Sequence, residues 1–101
     1  MKKLSIIIPA YNEGKTICLV LDKIKGVALM NEIEKEVIII DDGSIDDTEA
    51  IINRYGKSNP NFRIIYLKHG VNTGKGAALH TGIKNATGDY LIIQDADLEY
   101  D

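Results

Sequence analysis

Residues 37–44 read Val-Ile-Ile-Ile-Asp-Asp-Gly-Ser, an unbroken apolar run followed at once by two acids and a turn-forming Gly-Ser pair. A short β-branched run without polar interruption is typical of a strand buried on both faces of a parallel sheet. Residues 4–8, 63–67 and 89–93 have the same character. The sequence therefore predicts four strands, the one that precedes the two acids covering residues 36–40.

The segments between these strands carry apolar residues at helical spacing. The residues that mark the first two stripes are Ile17, Val20, Leu21, Ile24 and Ala28, and then Thr48, Ile51, Ile52 and Tyr55. A third helix is predicted over residues 75–86, with small residues for close packing and Gly88 as its terminating residue. Ser44, with Asp47 three residues later, predicts a capping box at the start of the second helix.

Strands and helices alternate along the chain, which predicts right-handed crossovers and a parallel sheet with helices on its faces. The expected fold class is α/β, a Rossmann-like three-layer α/β/α arrangement around a mainly parallel sheet. A chain of 101 residues is long enough for one hydrophobic core and too short for two. We therefore expect one domain, or part of one, over residues 1–101.

The composition narrows the function. With 12 Lys+Arg against 15 Asp+Glu and no basic run, the chain lacks the positive surface that nucleic acids or anionic membranes require. The single Cys18 cannot form an internal disulfide and is interpreted as a core residue of a protein in a reducing compartment. The longest aliphatic run, residues 37–40, is far shorter than the ~18 residues of a membrane span. We expect a cytoplasmic protein with no nucleic-acid partner.

A polar cluster follows each predicted strand. The four clusters are Pro-Ala-Tyr-Asn-Glu at 9–13, Asp-Asp-Gly-Ser at 41–44, Lys-His-Gly at 68–70 and Gln-Asp-Ala-Asp at 94–97. In a parallel sheet these clusters lie along one edge, and open α/β folds bind their ligands at that edge. The sequence therefore predicts a binding site built from the four clusters.

Asp95 and Asp97 lie two residues apart, so their side chains leave an extended segment on the same side and approach one cation. Mg²⁺ and Mn²⁺ take carboxylate oxygens together with substrate phosphates. The spacing predicts a metal-bridged phosphate; the alternative is a pair of solvated loop residues.

At least one of Asp41 and Asp42 is expected to point across the sheet edge, where a carboxylate accepts hydrogen bonds from a nucleobase N–H or a ribose hydroxyl. The alternative is that Asp42 and Ser44 only start the next helix. Glu13 repels a phosphate and fits sugar or base hydroxyls better; its alternative role is plain capping of the first helix with Asn12 as N-cap.

Residues 70–76, Gly-Val-Asn-Thr-Gly-Lys-Gly, are similar to a phosphate loop but fail the Walker spacing. Three residues separate Gly70 from Gly74 where four are needed, and Gly76 stands where Ser or Thr is required. Lys75, near a helix start, is still placed to offset diphosphate charge. A flexible surface loop is the alternative.

The sequence suggests a binding role for one aromatic residue, Tyr11, and none for the two histidines. Tyr11 lies inside the first polar cluster and is placed to stack on a base, with packing on the first helix as the alternative. His69 and His80 have no carboxylate or cysteine partner at a useful sequence spacing. We interpret both histidines as structural or surface residues.

Four motifs, in this order, closely resemble the nucleotide-binding half of glycosyltransferase family 2, whose members have the GT-A fold. They are Pro9-Ala10-Tyr11-Asn12-Glu13, Ile40-Asp41-Asp42-Gly43-Ser44, Asn72-Thr73-Gly74-Lys75-Gly76-Ala77-Ala78 and Asp95-Ala96-Asp97. The segment that starts at Asp95 looks most like enzymes that load a sugar onto a polyprenyl or dolichyl phosphate.

The resemblance implies a nucleotide-diphosphate sugar donor of the GDP-mannose or UDP-glucose type and a metal-assisted inverting displacement at the anomeric carbon. The metal would be Mg²⁺ or Mn²⁺, and the acceptor a lipid phosphate. The implied donor contacts come from Pro9, Tyr11, Glu13, Ile40 and Asp42, with Asp95, Ala96 and Asp97 at the metal and diphosphate.

The chain stops at Asp101, four residues after Asp97, whereas the family fold continues. We expect the N-terminal part of a longer enzyme, acting at the cytoplasmic face of a membrane. Any catalytic base lies beyond Asp101, and an anionic lipid phosphate needs none. We also expect residues 90–93 to form an uncovered edge beside the first strand, so that the isolated chain self-associates as a homodimer and lacks transferase activity.

Two other functions remain open from the sequence. A phosphoacceptor receiver domain has an acidic pair like Asp41-Asp42 and a lone acid like Asp95, but it leaves Asn12 and Glu13 unexplained. Phosphorylation by acetyl phosphate would favour it. A sugar nucleotidyltransferase has a related architecture but carries a Gly-rich loop after its first strand, which this sequence lacks; pyrophosphate release would identify it.

Overall fold

A computed structural model of the chain describes residues 2–28 and 33–96. The elements are β1 (Lys3–Ala10), α1 (Ile17–Ala28), β2 (Glu34–Asp42), α2 (Thr48–Ser58), β3 (Ile64–His69), α3 (Lys75–Asn85) and β4 (Tyr90–Ile93). The strands pair in parallel in the order β3-β2-β1-β4. The predicted alternation and parallel sheet are confirmed, with strand bounds that move by up to two residues.

The central strand β2 is buried on both faces, because helices cover the sheet on both sides. Ile6, Ile8, Val37 and Ile39 share one cluster with apolar residues of α1 and α2. The alternate residues of β1 and β2 pack on the other face, against α3. This is the expected α/β/α layering. Within the described residues, no helix is long and apolar enough to cross a membrane.

Helix α3 lies close to the sheet because small residues face it. Ala78 is fully buried. A Cβ added at Gly82 would lie 2.5 Å from Cγ2 of Ile7 and 2.8 Å from Cδ1 of Ile40. Any side chain at residue 82 would therefore push α3 away from the sheet, which confirms the expected role of small residues in this helix.

The predicted capping box of α2 is wrong. The N-cap residue is Asp47, whose side chain makes no capping hydrogen bond. The Ser44 hydroxyl instead accepts a hydrogen bond of 2.8 Å from the Asn12 backbone N–H, so the loop after β2 is attached to the loop after β1. The Asp46 carboxylate takes over the capping role and accepts a 3.0 Å hydrogen bond from the Thr48 N–H.

The prediction that Gly88 terminates α3 is also wrong. The helix ends at Asn85, and its C-cap Ala86 has extended backbone angles. Gly88 lies instead against β1, where an added Cβ would be 2.5 Å from the Ser5 hydroxyl and 2.8 Å from its backbone nitrogen. A glycine is needed there for close backbone approach and not to end a helix.

A buried acid holds this same region at the amino-terminal end of the sheet. Glu36 is fully buried, and its carboxylate accepts hydrogen bonds from the Ser5 hydroxyl at 2.6 Å and the Thr87 N–H at 2.7 Å. The Lys3 ammonium lies 3.4 Å away. Burial raises the pKa of Glu36, but these hydrogen bonds outweigh it and lower the pKa from 4.5 to about 2.

Strand β4 forms one edge of the sheet and pairs only with β1 among the described residues. Its four side chains are about half exposed, with 53% for Tyr90, 46% for Leu91, 47% for Ile92 and 52% for Ile93. The expectation that residues 90–93 form an apolar edge beside the first strand is confirmed.

Replacing Glu36 by Gln is expected to lower the free energy of unfolding by about 2 kcal/mol at pH 7, because charge-assisted hydrogen bonds are lost in a buried place. A depressed folded-state pKa stabilises above the unfolded value of 4.5 and loses that effect as pH falls towards about 2. The difference in free energy of unfolding between wild type and Glu36→Gln should therefore shrink as the pH falls from 4.5 towards about 2. Chemical denaturation at several pH values measures it.

The matched control is Glu34→Gln, which removes an exposed carboxylate at the start of the same strand. It should leave the free energy of unfolding nearly unchanged at every pH. Equal losses in the two variants would contradict the role given to Glu36.

Candidate functional site

A cavity of about 570 Å³ opens at the carboxyl ends of the strands. The segments after all four strands contribute to it, as the polar clusters predict for the edge of a parallel sheet. The lining residues are Pro9, Ala10, Tyr11, Glu13, Asp42, Asn72, Gly74, Lys75, Ala78, Asp95 and Ala96.

The structure brings together all but one of the residues proposed from sequence for donor binding. Pro9, Tyr11, Glu13, Asp42, Lys75, Asp95 and Ala96 all line the cavity. Ile40 is the exception, because its fully buried side chain packs between the sheet and α3. The proposed metal ligand Asp97 lies outside the described residues.

The two neighbouring acids that end β2, Asp41 and Asp42, point to opposite faces of the sheet, as adjacent strand residues must. Asp41 is fully buried and accepts hydrogen bonds from the Ser44 N–H at 2.9 Å and the Tyr66 hydroxyl at 2.5 Å. Burial and this contact with Asp41 raise the pKa of Tyr66. Asp41 is therefore a structural residue, and Asp42 is the one that faces the cavity.

Asp42 is only 4% exposed, and its carboxylate holds the loop that follows β3. Oδ1 accepts from the Thr73 N–H at 3.0 Å and the Thr73 hydroxyl at 2.7 Å, and Oδ2 accepts from the Gly74 N–H at 2.7 Å. Burial raises the pKa of Asp42, but hydrogen bonds from His69, Thr73 and Gly74 lower it to about 2. Asp42 is ionised at neutral pH.

These contacts correct the interpretation of the glycine-rich loop as a flexible surface loop. The Thr73 and Gly74 N–H groups, just before α3, donate to Asp42 and hold the loop. The loop also lies against the turn after β2, because a Cβ added at Gly43 would be 2.5 Å from the Asn72 nitrogen. The side chain of Lys75 still lines the cavity.

His69 has the carboxylate partner that the sequence did not reveal. Its Nδ1 lies 2.8 Å from Oδ1 of Asp42, and its Nε2 lies 2.9 Å from the Thr81 hydroxyl. The partner is 27 residues away in the chain and becomes a neighbour because β2 and β3 pair Asp42 with His69. No sequence spacing gives this contact. His80, in contrast, is exposed on α3, as expected.

The loop after β1 is ordered by its own side chains and not by helix capping. Asn12 is not the N-cap of α1, which begins at Ile17. Its backbone has φ of 53°, and its side-chain oxygen accepts from the Ile45 N–H at 2.8 Å and the Asp46 N–H at 3.3 Å. Asn12 therefore fastens the loop after β1 to the loop after β2.

The loop between β1 and α1 is also attached to the segment after β4. The Thr16 hydroxyl donates a 2.7 Å hydrogen bond to the Ala96 carbonyl. Thr16 belongs to none of the sequence motifs, so sequence reasoning missed it. The neighbouring Glu13 lines the cavity, and its backbone N–H donates to the Thr48 hydroxyl at 3.0 Å.

The mouth of the cavity contains an ion pair and an accessible ring. The Lys75 ammonium lies 2.6 Å from Oδ1 of Asp95, and both side chains are more than half exposed. An exposed carboxylate oxygen fits Mg²⁺ or Mn²⁺ as a hard ligand. In residues 2–28 and 33–96, no three His, Cys, Asp or Glu side chains are grouped to hold a metal. Tyr11 is 42% exposed, which leaves ring surface open to a ligand.

Comparison with known sequences gives a single family. The model of "Glycosyl transferase family 2" matches residues 5–101. A dolichyl-phosphate beta-glucosyltransferase, ALG5A, of Trichomonas vaginalis is 38% identical over 100 residues, which cover 93% of this chain and 30% of the relative. A poly-beta-1,6-N-acetyl-D-glucosamine synthase of Staphylococcus epidermidis is 41% identical over 98 residues, covering 97% of this chain and 22% of the relative.

Solved structures agree with the family match. The mannosyltransferase PcManGT of Pyrobaculum calidifontis, in complex with GDP-Man and Mn²⁺, superposes with a TM-score of 0.84 at 29% identity, covering 95% of this chain and 28% of that one. Glucosyl-3-phosphoglycerate synthase of Mycobacterium tuberculosis, with Mn²⁺ and UDP, gives 0.73 at 30% identity, covering 95% and 33%. The GT-A fold expected from sequence is confirmed. The chain spans about a third or less of the length of these proteins.

Replacing Asp42 by Asn is expected to lower the free energy of unfolding by about 1–3 kcal/mol, because an amide has one acceptor oxygen for donors that now share two. Amide hydrogen exchange at Thr73 and Gly74 should accelerate. Asp47→Asn is the control, since the Asp47 side chain caps nothing. Unchanged stability and unchanged exchange in Asp42→Asn would contradict the anchoring role.

Proposed function

The chain belongs to glycosyl transferase family 2, and from this premise we propose that it binds the nucleotide-diphosphate sugar of an enzyme that transfers the sugar to an acceptor. The observation that carries the proposal is the convergence of Tyr11, Asp42 and Asp95 on one cavity from the ends of three different strands. A concave site with a few convergent polar groups and an aromatic ring suits a ligand of nucleotide size.

The nucleoside end of the donor fits the part of the cavity that Tyr11, Asp42 and Glu13 line. The exposed ring of Tyr11 offers a face for stacking on the base. Oδ1 of Asp42 already accepts from Thr73 and His69, whereas among the described residues Oδ2 accepts one hydrogen bond, from the Gly74 N–H. Oδ2 therefore retains capacity to accept a hydrogen bond from a base N–H or a ribose hydroxyl, and Glu13 supplies a second carboxylate to the same cavity.

The diphosphate end of the donor fits the mouth of the cavity. We propose that Asp95 and Asp97 hold Mg²⁺ or Mn²⁺, as the Mn²⁺ complexes of the two solved relatives suggest. The metal, when bound, neutralises charge on the departing diphosphate. Lys75, already beside Asp95, adds a second positive charge there. Pro9 and Ala96 line the same cavity.

We propose a lipid phosphate, such as a polyprenyl or dolichyl phosphate, as the acceptor. A relative is named for its action on dolichyl phosphate. In an inverting displacement, an oxygen of the acceptor phosphate forms the new bond to the anomeric carbon while the bond to the diphosphate breaks. That oxygen is already anionic, so the reaction needs no base from residues 2–96. The cytoplasmic location expected from composition stays a prediction.

The two other functions considered from sequence lose their support. A receiver domain needs both members of its acidic pair at one site, but here Asp41 is fully buried and accepts structural hydrogen bonds from Ser44 and Tyr66, while only Asp42 faces the cavity. The family match over residues 5–101 leaves no basis for a nucleotidyltransferase.

Calorimetric titration with UDP and GDP tests the proposal directly. Binding of one of the two should require Mn²⁺ or Mg²⁺ and disappear in EDTA, because the metal neutralises the diphosphate. Asp95→Asn should weaken metal-dependent binding by more than roughly tenfold, since it removes a charged ligand from the metal.

Glu49→Gln is the matched control, because it removes an exposed carboxylate that pairs with Lys68 away from the cavity. It should bind as the wild type does. Equal nucleotide affinity with and without EDTA would contradict the proposed metal-dependent donor site.

We also propose that the 101-residue chain self-associates through β4. An unpaired edge with apolar side chains is a template for pairing with a second copy. Sedimentation at micromolar concentration should show a dimer, and Leu91→Lys should shift it towards monomer. Ile45→Lys, at an equally apolar but 88% exposed loop residue, should have no effect. A wild-type monomer of 11.1 kDa would exclude this association.

A further inference from the structure

We propose that His69 is a positioning residue of the donor site: it orients the Asp42 carboxylate, which in turn holds the loop that presents Lys75 to the diphosphate. This inference rests on the function proposed above. It concerns a residue that the sequence pattern suggested to be structural or on the surface, and whose side chain does not line the cavity.

The geometry joins three elements through one ring. His69 ends β3, and its Nδ1 lies 2.8 Å from Oδ1 of Asp42 at the end of β2. Its Nε2 lies 2.9 Å from the hydroxyl of Thr81 on α3. The His69 side chain is 19% exposed and that of Asp42 5%, so solvent competes little for these contacts.

The partners determine which ring nitrogen carries the proton. Asp42 is ionised, so its oxygens only accept, and Nδ1 of His69 must be the donor in this contact. In the neutral ring Nε2 then accepts from the Thr81 hydroxyl, which rotates freely to donate. The ring is fixed at both nitrogens, and this fixes the direction of the hydrogen bond that Asp42 receives.

The effect of His69 reaches the cavity through the loop. With Oδ1 held by His69, Oδ2 of Asp42 lies 2.7 Å from the Gly74 nitrogen. Gly74 has a positive φ of 98°, which glycine adopts readily and other residues rarely do. Lys75 follows it at the start of α3. The Lys75 ammonium then reaches Asp95 at 2.6 Å. A carboxylate that turns away releases Thr73 and Gly74 and moves Lys75 from the diphosphate position.

Two substitutions at residue 69 separate positioning from packing. In His69→Asn the side-chain nitrogen occupies about the place of Nδ1 and still donates to Asp42. In His69→Gln the nitrogen reaches about the place of Nε2, beside Thr81, and the donor to Asp42 is lost. Both variants lose the ring, so their melting temperatures should fall by similar amounts. The control His80→Gln alters an exposed histidine of α3.

The readout is the affinity for UDP or GDP in Mn²⁺, whichever the wild type binds, with melting temperature measured in parallel. We expect His69→Gln to bind roughly tenfold more weakly and His69→Asn to stay within about threefold of wild type, as loss of one charge-assisted hydrogen bond predicts. His80→Gln should match wild type in both measurements.

Equal affinities of His69→Asn and His69→Gln, with wild-type binding intact, would overturn the positioning role and leave the proposed function standing. A wild type that binds neither nucleotide overturns the proposed function itself. Should both His69 variants fail to fold, Thr81→Val removes the hydroxyl at Nε2 without touching Asp42. It should weaken binding by about threefold, and unchanged affinity in this variant would overturn the inference.

Discussion

The alternation of side chains along β2 is the constraint on which the rest of the structure depends. Because successive strand residues point to opposite faces, Val37 and Ile39 pack against α1 and α2 while Ile38 and Ile40 pack under α3. Full burial of each such aliphatic side chain contributes about 1.5–3 kcal/mol. The same alternation places the two acids that end the strand on opposite faces, so that Asp41 is buried and Asp42 faces the cavity.

Helix α3 depends on β2 in a second way. Its contact with the sheet is made by small residues such as Ala78 and Gly82, which bury little apolar surface of their own. Two carboxylates on the same face of β2 compensate for this: Glu36 holds Thr87 after the helix, and Asp42 holds the residues before it. The pKa of each carboxyl group is lowered to about 2, so both carboxylates are ionised and keep these hydrogen bonds at neutral pH.

The cavity at the carboxyl ends of the strands is held by hydrogen bonds between its loops. The cavity is lined by segments that follow four different strands. These segments are loops, and hydrogen bonds between them hold them in place. Asn12 bonds the loop after β2, Thr16 bonds Ala96 after β4, and Asp42 bonds the loop after β3. A cavity held this way is ordered before any ligand binds, which reduces the entropic cost of binding.

The sequence by itself determined the layering, the parallel sheet and the edge at which the site lies. Each of these follows from local periodicity and from the polar residues that end a buried strand, as in residues 37–44. It also placed Tyr11, Lys75 and Asp95 at that edge. It failed where a residue's partner is distant in the chain: Ser44 bonds Asn12 instead of capping α2, and Gly88 packs on Ser5. Only tertiary structure decided that Asp42 meets His69, because the β2–β3 register makes neighbours of residues that no sequence spacing relates.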